Sequence, residues 1–222
     1  MERKPYSSDN TTTNAKLALL IKKTMSKWSP DDVKPTTDFS IEEEIALVGI
    51  PDHKTVKTLI NFANKFKTLD PNQRYYKPES LHLTLLGGLS PHLEMKKNSD
   101  NLNYILTKQP LEFELKGVSA NHSGLAALAF PNFDISTLRS DIRKLVGIPD
   151  EHYRGSELFE QLGWISLLRF TKKPISKFQD IAKKNLSTHF GKMEVKKVIA
   201  VKITNTIFNE DPSTQKLLSI NL

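Results

Sequence analysis

The 222-residue sequence predicts an α+β fold: two lobes of duplicated β-α-β content whose antiparallel sheets face a central cleft. Three observations lead there. Hydrophobic residues make up 38% of the chain and charged residues 26%, enough apolar material for a core and too much for wholesale disorder. Apolar spacing switches between periods of two and 3.6 in the order β-α-β, helix, hairpin, α-β-α, hairpin. Halves of similar content can be drawn on either side of residue 120.

Each element has its own signal. Residues 1–13 are polar and uncapped. Leu17, Leu20, Ile21, Met25 and Trp28 are spaced for one helical face, with Asn14 as a possible cap and Ser29-Pro30 as a stop. Residues 31–40 read as a connector. The sequence therefore divides into an N-terminal extension over 1–40, with one amphipathic helix and a linker, and a main domain over 41–222. The helix is expected to pack on that domain; a membrane-surface role is the lesser reading, because the stretch carries few positive charges.

Residues 45–50 form a short apolar strand closed by Pro51, and Val56, Leu59, Ile60, Ala63 and Phe66 follow at helical spacing. A second strand covers residues 80–86 and stops at Gly87-Gly88. A poorer helix spans 92–107. Leu111, Phe113 and Leu115 alternate as a strand, Asn121 to Gly124 turns, and residues 125–130 return. Asp134 caps a helix carrying Ile135, Leu138, Ile142 and Leu145, which Gly147 ends. A loop over 150–161 precedes an apolar strand over 163–170. Pro174 opens another helix, and strands near 195–204 and 216–222 flank a turn at 209–212.

Composition excludes several functions. With no cysteine there is no disulfide framework, thiol nucleophile or Cys-ligated metal. The six histidines are scattered without metal-ligand spacing, so no metal is expected, and no glycine-rich phosphate loop calls for a cofactor. Neither a membrane-length apolar run nor a signal peptide is present, so a cytoplasmic protein with no membrane partner, a monomer, is expected. Net charge is +7, and residues 170–202 hold nine lysines against Asp180 and Glu194. Such a stretch suits a phosphate backbone, although a solvated lysine face is the commoner meaning and only six of the 32 basic residues are arginine.

Chemistry concentrates in Leu81-His82-Leu83-Thr84-Leu85-Leu86-Gly87. Strand alternation puts the leucines at 81, 83 and 85 on one face and His82 with Thr84 on the other. Their Cα atoms then lie about 6.5 Å apart, within reach of one phosphate: the hydroxyl donates to a non-bridging oxygen while the imidazole exchanges a proton. Alone the pair is weak, since His-x-Thr also occurs at His53 to Thr55, where it opens a helix.

Together with residues 162–170, Leu-Gly-Trp-Ile-Ser-Leu-Leu-Arg-Phe, this stretch resembles the 2H phosphoesterase superfamily, the LigT-like RNA 2′,3′-cyclic phosphodiesterases also called 2′-5′ RNA ligases. The resemblance covers about residues 41–222. It implies two His-x-Thr/Ser motifs on central strands of two related lobes, facing one cleft, with one histidine as base and the other as acid. Here the second motif is degenerate: Ser166 matches its hydroxyl, but Trp164 stands where the second histidine would be, and indole cannot exchange a proton near neutral pH.

The resemblance implies an RNA or nucleotide phosphodiesterase that acts on or binds 2′,3′-cyclic phosphate or 2′-5′ linked ends without a metal or other cofactor. His82 would be general acid or base, and Thr84 and Ser166 would hold phosphate. If it is an enzyme, it is a cyclic phosphodiesterase, a hydrolase. The alternative is a non-catalytic binder of nucleotide or RNA ends that has lost the second histidine. Substrate-binding candidates are Trp164, Tyr76 and His152, and His122 and His152 are possible substitutes for the missing imidazole. Trp164 either fills the cleft floor or stacks on a base. By simple alternation Arg169 falls on the face opposite Ser166.

Overall fold

A computed structural model describes residues 10–34, 43–148, 160–204 and 213–222. His152, the turn at 209–212 and the expected boundary at 40/41 lie outside them. Nine strands and five helices are described: α1 (Asn10–Lys27), β1 (Glu44–Gly49), α2 (His53–Leu69), β2 (Arg74–Tyr75), β3 (Leu83–Leu89), α3 (Ser99–Thr107), β4 (Glu112–Ala120), β5 (Gly124–Pro131), α4 (Ile135–Leu145), β6 (Gly163–Arg169), α5 (Ser176–Lys184), β7 (His189–Glu194), β8 (Lys197–Thr204) and β9 (Ser213–Asn221).

The strands run in the order β7-β4-β5-β6-β3-β1-β8-β9, with β2 added to β6, and every pairing is antiparallel. Two four-stranded halves, β7-β4-β5-β6 and β3-β1-β8-β9, meet at β3 and β6, where the ladder consists of one register pair, Leu83 opposite Ile165. Both side chains are fully buried. Gly163 makes this close approach possible, because a Cβ there would fall 2.7 Å from Leu83 Cδ1. No cut at a single chain position separates the halves. Strand β4, on the near side of residue 120, pairs with β5 and β7, and the C-terminal hairpin β8–β9 returns to pair with β1.

Several elements differ from the sequence reading. Helix α1 starts at Asn10, so Asn14 is inside the helix, where its amide donates to Pro131 O at 3.2 Å instead of capping. Strand β3 starts three residues later than expected and runs through both glycines to Leu89. Gly88 takes φ of 70° there, a left-handed conformation that a glycine adopts without a Cβ clash. The weak helix resolves into a 3-10 turn (Met95–Asn98) and α3. Strands β2 and β7 had no clear signal: β2 has two residues, and β7 (His-Phe-Gly-Lys-Met-Glu) breaks apolar alternation with a glycine at φ 116°. Asp134 does cap α4, accepting from Thr137 N at 3.0 Å.

An aromatic cluster holds α1, α2 and α5 to the β6 side of the sheet. Trp28, after α1, stacks on Phe170 at 6.0 Å and 16°. Phe178 of α5 lies 5.4 Å from Phe170 and 4.6 Å from Phe66 of α2, and Phe62 of α2 meets Phe190 of β7 at 4.9 Å. Leu17, Ile21 and Met25 continue the buried stripe of α1. The leading helix is thus part of the core packing. Phe178→Ala should lower unfolding free energy by about 3–5 kcal/mol, the usual cost of emptying a buried phenylalanine site, measured by denaturant titration; a loss below about 1 kcal/mol would mean that the cluster does not hold the helices.

Candidate functional site

Alternation on both sides of the seam builds the site. On β3 and the two residues before it, Leu81, Leu83 and Leu85 are buried while His82 and Thr84 are half-buried. On β6, Ile165 and Leu167 are buried while Trp164 and Ser166 are half-buried. With Leu83 opposite Ile165 in an antiparallel pair, the register places His82 across from Ser166 and Thr84 across from Trp164, all four on one face. Only Leu83 and Ile165 are paired, so the imidazole, the two hydroxyls and the indole lie on one face on either side of that single pair.

His82 is oriented by its own backbone. Its Nδ1 lies 2.9 Å from the Ser80 carbonyl. A carbonyl only accepts, so Nδ1 carries the hydrogen and Nε2 keeps its lone pair in the neutral ring. The 3-10 turn Pro78–Ser80 sets that carbonyl just ahead of the strand. Burial pushes the imidazole pKa down, the Ser80 carbonyl partly offsets this, and the Arg169 charge adds to the lowering. The neutral, proton-accepting ring is favoured.

Arg169 was expected on the other face, and the structure corrects this. Opposite β5, the register passes from Ala126–Ser166 to Leu125–Leu168, so β6 carries one extra residue. Leu167 and Leu168 are both buried, and Arg169 returns to the half-buried side with Ser166. Its Nε donates to Tyr76 Oη at 3.3 Å and its Nη1 to Ser123 Oγ at 3.0 Å. The Tyr76 ring stands edge-on to His82 with centroids 6.4 Å apart. Tyr76 is held in turn by its N–H, which donates to Leu167 O at 3.0 Å. His122 is exposed at the tip of the β4–β5 hairpin, one residue from Ser123, and its carbonyl accepts from Lys34 N.

A second arginine fills the gap where the halves part. Beyond Leu83, β3 has no β6 partner, and Arg139 of α4, 2% exposed, takes that place. Its Nε donates to Leu85 O at 2.6 Å and its Nη2 to Thr84 O at 3.4 Å. The same guanidinium lies 5.8 Å from the centre of the Trp164 ring, in cation–π range. The Trp164 ring thus has a buried cation against it. Further along the same face, beyond Val48 opposite Thr84, Glu44 is half-buried with its carboxyl pKa raised by desolvation.

The sequence-derived set is therefore placed as follows: His82, Thr84, Trp164, Ser166 and Tyr76 come together, and His152 is outside the described residues. Sequence reasoning missed Arg169, Arg139 and Ser123. A one-residue bulge hid the first, and only the long-range packing of α4 and of the hairpin reveals the other two. Among the described residues no group of three or more His, Asp or Glu side chains is arranged to hold a metal ion, and no helix is long and apolar enough to cross a membrane.

This architecture is that of known proteins. The chain is similar to the crystal structure of TT0787 of Thermus thermophilus, with a TM-score of 0.55 and 17% identity over 81% of this chain and 97% of that one. It is similar to E. coli LigT complexed with NADP+, with a TM-score of 0.55 and 14% identity over 81% and 98% of the two chains. LigT complexed with phosphate gives a TM-score of 0.52 and 13% identity over 81% and 97%. No protein-family model matches the sequence, and comparison with curated proteins finds no match. The fold is a LigT-like 2H phosphoesterase fold.

Two outcomes test this geometry. Arg169→Gln should raise the His82 pKa, since a facing positive charge is removed, and an NMR titration of the imidazole reads the shift. A lowered pKa also means that the folded chain binds fewer protons than the unfolded one, so the His82 contribution to stability is present above about pH 6.5 and is lost as pH falls towards its folded value. Arg139→Met should cost about 1–3 kcal/mol by leaving two β3 carbonyls without their donor, read as a lower melting temperature.

Proposed function

We propose that this face binds the phosphate of an RNA end or nucleotide, cyclic or terminal, and that His82 acts on it as the single general base. The observation that carries the reading is the convergence of His82, Thr84 and Ser166 on one side of the Leu83–Ile165 pair. Thr84 and Ser166 donate to non-bridging oxygens. Arg169, already beside His82, supplies positive charge towards the phosphoryl group as negative charge builds on it. LigT, solved with phosphate and with NADP+, supports a phosphate-bearing nucleotide as the ligand class.

For a 2′,3′-cyclic phosphate the chemistry is hydrolysis. Nε2 of neutral His82 takes a proton from water, the water oxygen bonds to phosphorus, and one ribose P–O bond breaks. The freed ribose oxygen then needs a proton. In a two-histidine site the second imidazole would deliver it; Trp164 offers only a hydrogen-bond donor that does not ionise. The proton comes instead from solvent or from the His82 imidazolium itself, and turnover is correspondingly slow. Trp164, backed by the Arg139 guanidinium, presents its ring as a stacking surface for a base or ribose.

The Trp164 side chain also favours a second reading, a binder of the same ends without turnover. Hydrolysis of 2′,3′-cyclic AMP separates the two. The enzyme reading expects slow hydrolysis that His82→Ala abolishes and that declines as pH falls through the lowered His82 pKa. Tight binding with no product over hours assigns the binder. Trp164→His should raise the rate by about 10²–10⁴-fold, the usual contribution of one positioned acid. If neither wild type nor Trp164→His binds or hydrolyses any phosphate-ended nucleotide, the proposal fails.

A further inference from the structure

Positive charge on this protein is gathered by helix. Helix α1 carries Lys16, Lys22, Lys23 and Lys27; α2 carries Lys54, Lys57, Lys65 and Lys67; α5 carries Lys177, Lys183 and Lys184. Their one acid is Asp180, so eleven minus one is +10, against +7 for the whole chain, and the remaining residues sum to −3. All eleven lysines are exposed or half-exposed. None forms an ion pair with another described residue. The helices adjoin one another: Phe66 and Phe178 link α2 to α5, and Gln179 of α5 donates to Trp28 O at the end of α1.

Apolar side chains stand on this basic surface. Leu19 is 68% exposed and Leu20 46%, on the side of α1 turned away from the buried stripe of Leu17, Ile21, Met25 and Trp28. At about 100° per residue Leu19 is opposite the stripe, with Lys16, Lys23 and Lys27 on one flank and Lys22 on the other. Ile175, at the start of α5, is 44% exposed. Among the described residues the other large apolar side chain exposed to this degree is Tyr104, on α3.

The composition of this surface selects the kind of anion. The three helices contain no arginine and expose no phenylalanine, tyrosine or tryptophan; their one exposed ring is the His53 imidazole at the start of α2. Nucleic-acid surfaces draw on guanidinium forks and several stacking rings, whereas this surface has no fork and a single imidazole. Lysines around protruding leucines suit a lipid surface, where ammonium groups meet headgroup phosphates and the aliphatic tips enter the acyl boundary. The geometry points to the α1–α2–α5 face as a docking surface for an anionic phospholipid membrane. Helix α1 alone is too sparsely charged for this, and packing against α2 and α5 adds seven lysines to its four. No described helix is long and apolar enough to cross a membrane, and the contact inferred is with the membrane surface. The inference does not rest on the phosphate chemistry at His82.

The test is co-sedimentation of the full chain with vesicles of phosphatidylcholine mixed with phosphatidylserine, beside vesicles of phosphatidylcholine alone. Binding to the mixed vesicles, weakened by salt and poor on the neutral ones, is expected. Replacing Lys16, Lys22, Lys23 and Lys27 by Gln together should weaken it by roughly 600-fold, since each lysine near an anionic surface adds roughly fivefold. Leu19→Gln with Leu20→Gln should also weaken it, and because these positions are exposed the melting temperature should hold. No binding to mixed vesicles by the wild-type chain overturns the proposal. So does equal binding to neutral vesicles, or a set of variants that leaves vesicle binding intact while releasing a structured RNA.

Discussion

The two halves of the sheet share one pair of opposed residues, Leu83 and Ile165, and the rest of the molecule is arranged around that narrow join. A long ladder there would have flattened the halves into one continuous surface. A single pair lets them part, and the parting leaves β3 carbonyls without a strand to donate to them. Arg139 fills that role from α4, and the same guanidinium lies against the Trp164 ring. Gly163 removes the one side chain that would keep Leu83 from packing closely. The residues flanking the pair on the open side are those with chemistry: His82 and Thr84 from one half, Trp164 and Ser166 from the other.

Charge at the site is set by two arginines with different tasks. Arg139 is buried, occupied by backbone carbonyls and set against the indole. Arg169 reaches the open face by way of a bulge and is held by Tyr76 and Ser123. Burial of the ring, with a smaller contribution from the Arg169 charge, lowers the His82 pKa, while the Ser80 carbonyl fixes which nitrogen bears the hydrogen in the neutral ring. On the proposed reading, the imidazole accepts a proton while the neighbouring guanidinium attracts the anion. The Trp164 indole has no group that ionises near neutral pH and supplies a flat apolar surface. Stacking is compatible with every other feature of the site, whereas fast two-histidine acid–base exchange is not.

Much of this was legible in the sequence where the controlling forces are local. Alternation around Leu83 gave the correct inward and outward faces of β3. Asp134, Pro174 and the spacing of α2 marked helices that the structure contains. Local signals failed where one residue changes parity or where pairing is distant. The extra residue in β6 turned Arg169 to the other face, and no propensity marks such a bulge. Strand β7 is held by β4 across more than 70 residues of chain, despite an interrupted pattern. A cut near residue 120 was reasonable from content, but strand pairing follows tertiary packing, and the C-terminal hairpin belongs with β1. The grouping of lysines by helix became visible only when Trp28, Phe66 and Phe178 showed which helices are neighbours.

The central claim is that His82 and Ser166, from different halves of the sheet, address the same phosphate. A double-mutant cycle on affinity tests it most directly: the dissociation constant of a 2′,3′-cyclic nucleotide is measured by calorimetry for wild type, His82→Ala, Ser166→Ala and the double variant. Side chains that share one anion across a single strand pair should be coupled, with an interaction energy of about 0.5–3 kcal/mol. Additive losses would contradict a shared phosphate and would place the two residues in separate environments.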